Sequence, residues 1–194
     1  MRGGIVMFMC SRQIDINTRF GLPRIFFIAL VTTIITFLIS YEVLIFLSHK
    51  EITDRYFFVF LAAVLLLYPI HKMIHLVVLA PYYKHFKKKR LTKRPWIPLY
   101  NLYVSTPVNK YLFCLCLITP LIVITAASIY LAALLPQYGH YFMFLLSLNA
   151  GFSVMDFMYL KLILFSNEGK YIEEHCTGFN ILNKYDYPLD PNFN

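Results

Sequence analysis

Four runs of apolar residues, each close to the length that crosses a lipid bilayer, constrain this chain more than any other feature. They cover residues 25–48, 56–80, 111–135 and 140–165. A helix needs about 20 apolar residues to cross the hydrocarbon core of a membrane. Only 14% of the residues are charged, against about 25% in an average soluble domain. The sequence therefore predicts an all-α polytopic membrane protein with four transmembrane helices.

The distribution of positive charge predicts how these helices are oriented. The net charge is +8, and the loop 81–110 contains eight Lys or Arg and no Asp or Glu. A basic loop beside a membrane span is typical of the cytoplasmic side, where it meets anionic lipid headgroups. The charge thus points to the lipid bilayer as partner and not to nucleic acid. We expect a multi-pass protein of the cell membrane, with the N-terminal segment 1–24, the basic loop and the acidic tail 167–194 in the cytoplasm.

Two short stretches outside the spans are rich in aromatic and β-branched residues. Residues 99–104 and 178–182 are predicted to form strands at the membrane interface. The two strands could pair with each other and offer an edge to an extended peptide. Trp96 is expected at the level of the headgroups, where tryptophan is enriched.

The second span contains two histidines, His71 and His75. Side chains at i and i+4 lie on one helical face, one turn apart, so both imidazoles can reach one metal ion. This is the spacing of the H-E-x-x-H helix of zinc proteases. Here Lys72 stands where such a protease has its glutamate base. The motif predicts a metal site but lacks the residue that usually makes the site catalytic.

Depth in the membrane selects a third ligand. The only acids within the four spans are Glu42 and Asp156. Spans two and four run in the same direction, and at 1.5 Å per residue His71 and Asp156 lie about 22–24 Å from the outer ends of their spans. Glu42 lies near the outer end of the first span, too far away for the same site.

Two imidazoles, one carboxylate and one open position form a typical catalytic zinc shell. Metal binding would also offset the cost of an isolated carboxylate at membrane depth. Other arrangements satisfy the same residues: Asp156 could pair with Lys161 or Lys72 or be protonated, and the histidines could form hydrogen bonds between helices. Another divalent metal could replace zinc. A transporter-like or haem-binding bundle is less compatible with only two acids in the spans.

Five pieces of sequence resemble a known family. They are residues 68–75, 107–110, 119–125, 149–156 and 171–182. Together they resemble the small membrane proteins of bacilli grouped as putative zincin peptidases, which are distantly similar to site-2-type intramembrane metalloproteases. The resemblance covers most of the chain from about Ile14 to Leu182.

The resemblance implies zinc bound by His71, His75 and Asp156. It does not carry over a glutamate base, because Lys72 occupies that position. Lys72 could act as a base only with a much lowered pKa, or it could turn toward the headgroups. Glu173 or Glu174 in the tail could instead supply the base. The implied activity is that of an integral membrane metallopeptidase acting on a peptide or membrane protein. The alternative is a non-enzymatic pseudoprotease that binds a membrane-protein partner.

Several further residues carry weaker expectations. Asn149 could orient a ligand or join two helices by hydrogen bonds. Gly151 and Ser153 are small and would let the fourth span approach the second closely. His49 and His140 are expected at the outer interface.

Overall fold

The structure is a computed structural model, which describes residues 5–15, 20–48, 51–90, 100–166, 169–175 and 178–187. Four long helices dominate it: α1 (Leu22–Leu47), α2 (Phe57–Val78), α3 (Lys110–Leu134) and α4 (Gly139–Leu164). All four are long and apolar enough to cross a membrane. Each helix end lies within three residues of the end of a predicted span. The fold class predicted from the apolar runs is confirmed. His49 and Trp96 lie outside the described residues.

Helix α4 is the centre of the bundle and has extensive contacts with α1 and α3. It approaches α1 most closely at Gly151, where an added Cβ would collide with the Thr33 hydroxyl and lie 3.1 Å from the Ala29 carbonyl oxygen. The expectation that Gly151 brings the fourth span close to the second was wrong, because this face of α4 is turned to α1. The Ser153 hydroxyl donates to the Asn149 carbonyl within α4.

Six strands accompany the helices in two antiparallel sheets. Strands β1 (Ile5–Ile14), β4 (Val108–Asn109), β5 (Tyr171–His175) and β6 (Gly178–Tyr187) form one sheet in the order β1-β6-β5-β4. Strands β2 (Phe86–Arg90) and β3 (Tyr100–Val104) form the other. A 3-10 helix, Ala80–His85, joins α2 to β2.

The two predicted strands exist, but they do not pair with each other. Strand β3 pairs with β2, and β6 pairs with β5 and β1. In the β2–β3 and β5–β6 pairs each strand uses a neighbour along the chain, which costs less loop-closure entropy than a partner some 75 residues away. The prediction that residues 99–104 pair with residues 178–182 was therefore wrong.

The pairing of the strands brings the ends of three helices to the same side of the bundle. Because β1 precedes α1, β4 precedes α3, and β5 and β6 follow α4, their pairing puts these three parts of the chain on one side of the helical bundle. At the opposite end, the Thr53 amide donates to the Gln137 carbonyl. His140 Nε2 lies there 3.3 Å from Asp54 Oδ1.

A buried apolar cluster joins the two sheets to the end of the bundle that carries the strands. It contains residues from both sheets and from the adjoining helix ends, including Leu79, Val104, Val108, Phe113, Ile163, Ile172, Phe179 and Ile181. Burying one large aliphatic or aromatic side chain contributes about 1.5–3 kcal/mol. The strands are thus held firmly beneath the helix ends that lead to the histidines.

Candidate metal centre

Helix α2 presents most of its surface outward, and His71 and His75 are among the few of its residues that are buried. Their exposed fractions are 2% and 9%, whereas Leu66, Ile70 and Met73 between and before them are exposed. The two rings meet edge to face, with centroids 5.0 Å apart. The face that carries both histidines is therefore the face that α2 turns to α3 and α4.

Helix α4 brings Asp156 to the same point. Asp156 Oδ2 lies 3.1 Å from His71 Nε2 and 3.5 Å from His75 Nε2. The two Nε2 atoms are 3.2 Å apart. Among the described residues, these three are the group that could share one metal ion. The depth argument from the sequence thus predicted a real proximity, and Glu42 is not part of the group.

The other nitrogen of each ring has a partner of its own. His71 Nδ1 lies 2.9 Å from Asn149 Oδ1, and His75 Nδ1 lies 2.9 Å from the carbonyl oxygen of Cys116. A carbonyl can only accept, so Nδ1–H of His75 must donate. The Asn149 amide nitrogen donates to the carbonyl of Pro120 at 3.4 Å, which leaves its oxygen to accept from His71. Both rings therefore carry a proton on Nδ1 and turn Nε2 toward Asp156.

This donor set fits a zinc ion. Ligand atoms about 2.0–2.1 Å from a tetrahedral zinc are about 3.3 Å from one another, and the three separations here run from 3.1 to 3.5 Å. Two imidazole lone pairs and a carboxylate oxygen repel one another unless a cation or a proton lies between them. Histidine ligands usually donate their second N–H to a carbonyl or carboxylate, as both rings do here.

Aromatic rings lie beside the site toward the lipid. The Phe152 ring packs edge to face with Tyr68, with centroids 5.7 Å apart, and lies 6.3 Å from the His71 ring. Both residues are partly exposed.

Lys72 does not point into this cluster of lone pairs. It is exposed on α2 although it lies between two buried histidines. Its charge nevertheless interacts with the Cys116 thiol and with Glu174. The Lys72 charge thus acts on a carboxyl of strand β5.

The two tail glutamates face opposite ways, because side chains alternate along a strand. Glu174 shares the face of the buried Ile172 and accepts a hydrogen bond from the Val104 amide, at 3.2 Å from Oε2. Burial raises the pKa of Glu174 to about 7, although the Val104 N–H and the Lys72 charge both act to lower it. Glu173 lies on the other face, 3.7 Å from His175 Nε2.

The charge of Glu174 acts on the cysteine that lies beside His75. The charges of Glu174 and Asp156 both act on the thiol of Cys116, and this thiol lies 3.5 Å from His75 Nδ1. Cys114 and Cys116 are buried thiols. Of the two glutamates named from the sequence, Glu174 is the one that the fold directs toward the helix ends.

One comparison with known proteins gives a match. The model of a family described as "putative zincin peptidase" matches residues 64–171, just over half of the 194-residue chain. The match contains both histidines, Asn149 and Asp156, and it ends before Glu174. No curated protein and no solved structure matches the chain.

Proposed function

The chain belongs to the putative zincin peptidase family, and from that premise we propose that it is an integral membrane zinc metallopeptidase. The zinc ligands are His71 Nε2, His75 Nε2 and Asp156 Oδ2. The observation that carries the proposal is the convergence of these three atoms within 3.5 Å of one another in a buried setting. The site lies toward the cytoplasmic ends of α2 and α4, so the substrate is a peptide or membrane protein that reaches this side of the bilayer.

The protein side chains prepare the site before any substrate arrives. Asn149 and the Cys116 carbonyl hold the imidazole rings in the tautomer that leaves Nε2 free. Asp156 supplies one negative charge, which favours a divalent cation. Zinc, when bound there, polarises a carbonyl group and lowers the pKa of water.

We assign Glu174 the role of general base and acid. Its Oε2 is held by the Val104 amide, so Oε1 is the atom that takes a proton from the attacking water and later delivers it to the leaving amine. A pKa of about 7 suits this exchange near neutral pH. Lys72 is exposed, and its charge favours the carboxylate form of Glu174. Glu173 faces away and has no such role.

A specific observation supports a second candidate function. Lys72 replaces the motif glutamate, and Glu174 lies outside the residues that match the family. In this alternative the metal site is structural, and the protein is a pseudoprotease that binds a membrane-protein partner through the same cleft. The two candidates differ in turnover and share the metal site.

The metal site is tested by elemental analysis of protein purified in detergent. We expect about one zinc per chain in the wild type and its loss in His71→Ala, His75→Ala and Asp156→Ala. His140→Ala is the matched control, because its ring pairs with Asp54 at the opposite end of the bundle. Wild-type protein without stoichiometric metal, after incubation with zinc at a pH where histidine is neutral, would refute the site.

Turnover separates the peptidase from the pseudoprotease. Zinc-loaded wild type is incubated with fluorescein-labelled casein across a range of pH, beside Glu174→Gln and Glu173→Gln. For the peptidase we expect hydrolysis to rise with pH through about 7, a loss of about 10²–10⁴-fold in Glu174→Gln, and no change in Glu173→Gln. Equal hydrolysis in the wild type and Glu174→Gln would remove Glu174 from the mechanism.

A further inference from the structure

The hydrogen-bond acceptor of His75 is a backbone carbonyl that lies inside a helix. In an α-helix the carbonyl of residue i accepts the N–H of residue i+4. For Cys116 that residue is Pro120, which has no N–H. The Cys116 carbonyl therefore lacks its helical donor, and it accepts His75 Nδ1–H at 2.9 Å instead.

The carbonyl of Pro120 itself is connected to the other histidine through Asn149. The amide nitrogen of Asn149 donates to it at 3.4 Å. This contact settles which end of the Asn149 amide faces His71, because the nitrogen is directed to Pro120 and the oxygen remains for His71 Nδ1. One buried proline on α3 is thus connected to both rings on α2.

We propose that Pro120 is a positioning residue that sets the tautomers of His71 and His75. The inference rests on the proposed metal site and extends it to a residue that is not one of the metal ligands. An ordinary residue at position 120 would place an N–H on the Cys116 carbonyl. His75 Nδ1–H would then share that acceptor with the helical N–H, its hydrogen bond would weaken, and the Nε2–H tautomer, which cannot bind a metal through Nε2, would gain population.

The second proline inside a helix provides a contrast. Pro69 on α2 likewise leaves the carbonyl of Leu65 without a helical donor. Leu65 is 72% exposed on the outward face of α2, and the Leu65 carbonyl is not among the hydrogen-bond partners of the histidine rings in the described part of the chain. A proline inside a helix costs about 3 kcal/mol. At position 120 the proline also accompanies two hydrogen bonds of the site, from His75 to the Cys116 carbonyl and from Asn149 to the Pro120 carbonyl.

The test reads the tautomers directly, in metal-free protein. Protein labelled with 15N-histidine in detergent micelles gives imidazole nitrogen–proton correlations that distinguish Nδ1–H from Nε2–H rings, and His71→Gln and His75→Gln assign the signals. Without metal, a proton lies between the Nε2 atoms and Asp156 Oδ2, so in the wild type we expect an Nδ1–H on both rings and an additional Nε2–H on at most one of them. Pro120→Ala and Pro120→Val should shift His75 toward Nε2–H and weaken zinc binding about 10–100-fold. Pro69→Ala should leave both signals and the affinity unchanged.

The two substitutions at position 120 distinguish the effect of the added N–H from the effect of lost packing. Valine keeps most of the volume of proline and alanine does not, so a change in Pro120→Ala alone would mean lost packing and would overturn the proposal. A wild-type spectrum in which His75 has no Nδ1–H would overturn it without any variant. Asn149→Leu should shift His71 and leave His75 unaffected. Because the spectra are recorded without metal, they test Pro120 even if zinc analysis refutes the site.

Discussion

Replacing Glu174 by glutamine should change how the stability of the protein depends on pH. Burial raises the pKa of this carboxyl from 4.5 to about 7 in the folded protein. Between those pH values the folded state holds a proton that the unfolded state releases. The protonated carboxyl therefore stabilises the fold at low pH, and this stabilisation is lost as the pH rises through about 7.

The size of the effect follows from the same two values. One pKa unit corresponds to about 1.4 kcal/mol, so the wild type should lose roughly 3 kcal/mol of unfolding free energy between pH values of about 4.5 and 8. Glutamine cannot ionise, but its side-chain oxygen can still accept the Val104 N–H. The glutamine variant should therefore escape this loss and exceed the wild type in stability above neutral pH.

The assay is equilibrium unfolding in mixed micelles, by titration with sodium dodecyl sulfate at several pH values. The difference between wild type and Glu174→Gln cancels contributions from other titrating groups, such as the histidines. Glu173→Gln is the control, because Glu173 lies on the opposite face of β5 beside His175, and it should follow the wild type. Parallel pH dependences for wild type and Glu174→Gln would show that the Glu174 carboxylate is solvated in the folded protein, and the reasoning would fail.

Three further predictions concern the motif, the helix packing and the orientation. Lys72→Glu should raise the pKa of Glu174 and move the pH dependence of casein hydrolysis to higher pH, whereas an unchanged pH dependence would mean that the charge at position 72 does not act on Glu174. Gly151→Leu should destabilise the α1–α4 contact by about 1–3 kcal/mol, and a Thr33→Ala companion should recover part of this in the same unfolding assay; full stability of Gly151→Leu alone would contradict the contact. In a Cys176→Ser background, an impermeant maleimide should label the exposed Cys10 in inside-out vesicles and not in intact spheroplasts, and the reverse pattern would invert the proposed topology.

The helices and the histidine–aspartate cluster were predictable because each depends on a simple periodicity. The apolar runs set the four spans, and the i, i+4 spacing put His71 and His75 on one face. Counting residues from the ends of two parallel spans then placed Asp156 at the right depth. In a helix that spans a bilayer, the number of residues from the end of the span gives the depth in the membrane. Counting residues can therefore identify neighbours on different helices of a membrane protein, whereas a soluble protein offers no such common reference.

The partners of individual residues were not predictable in this way. Gly151 contacts α1 and not α2 because the order of helices around α4 is a property of the whole bundle. The acceptor of His75 is a backbone carbonyl, which has no side-chain signature; its only trace in the sequence is Pro120, four residues later. Strand β1 was missed because its alternation is weak, and its partner β6 lies at the far end of the chain.

The pairing of β1 with β6 has a consequence for biogenesis. Ile5–Ile14 leaves the ribosome before the first helix, but its partner Gly178–Tyr187 follows the last. All four helices can therefore enter the bilayer before β6 has been synthesised and can pair with β1. Contacts between such distant segments also form slowly. Strand β5 is also made only after the helices, so Glu174 reaches its place last. The nascent chain can thus assemble the histidine–aspartate cluster before it carries the proposed proton-transfer group.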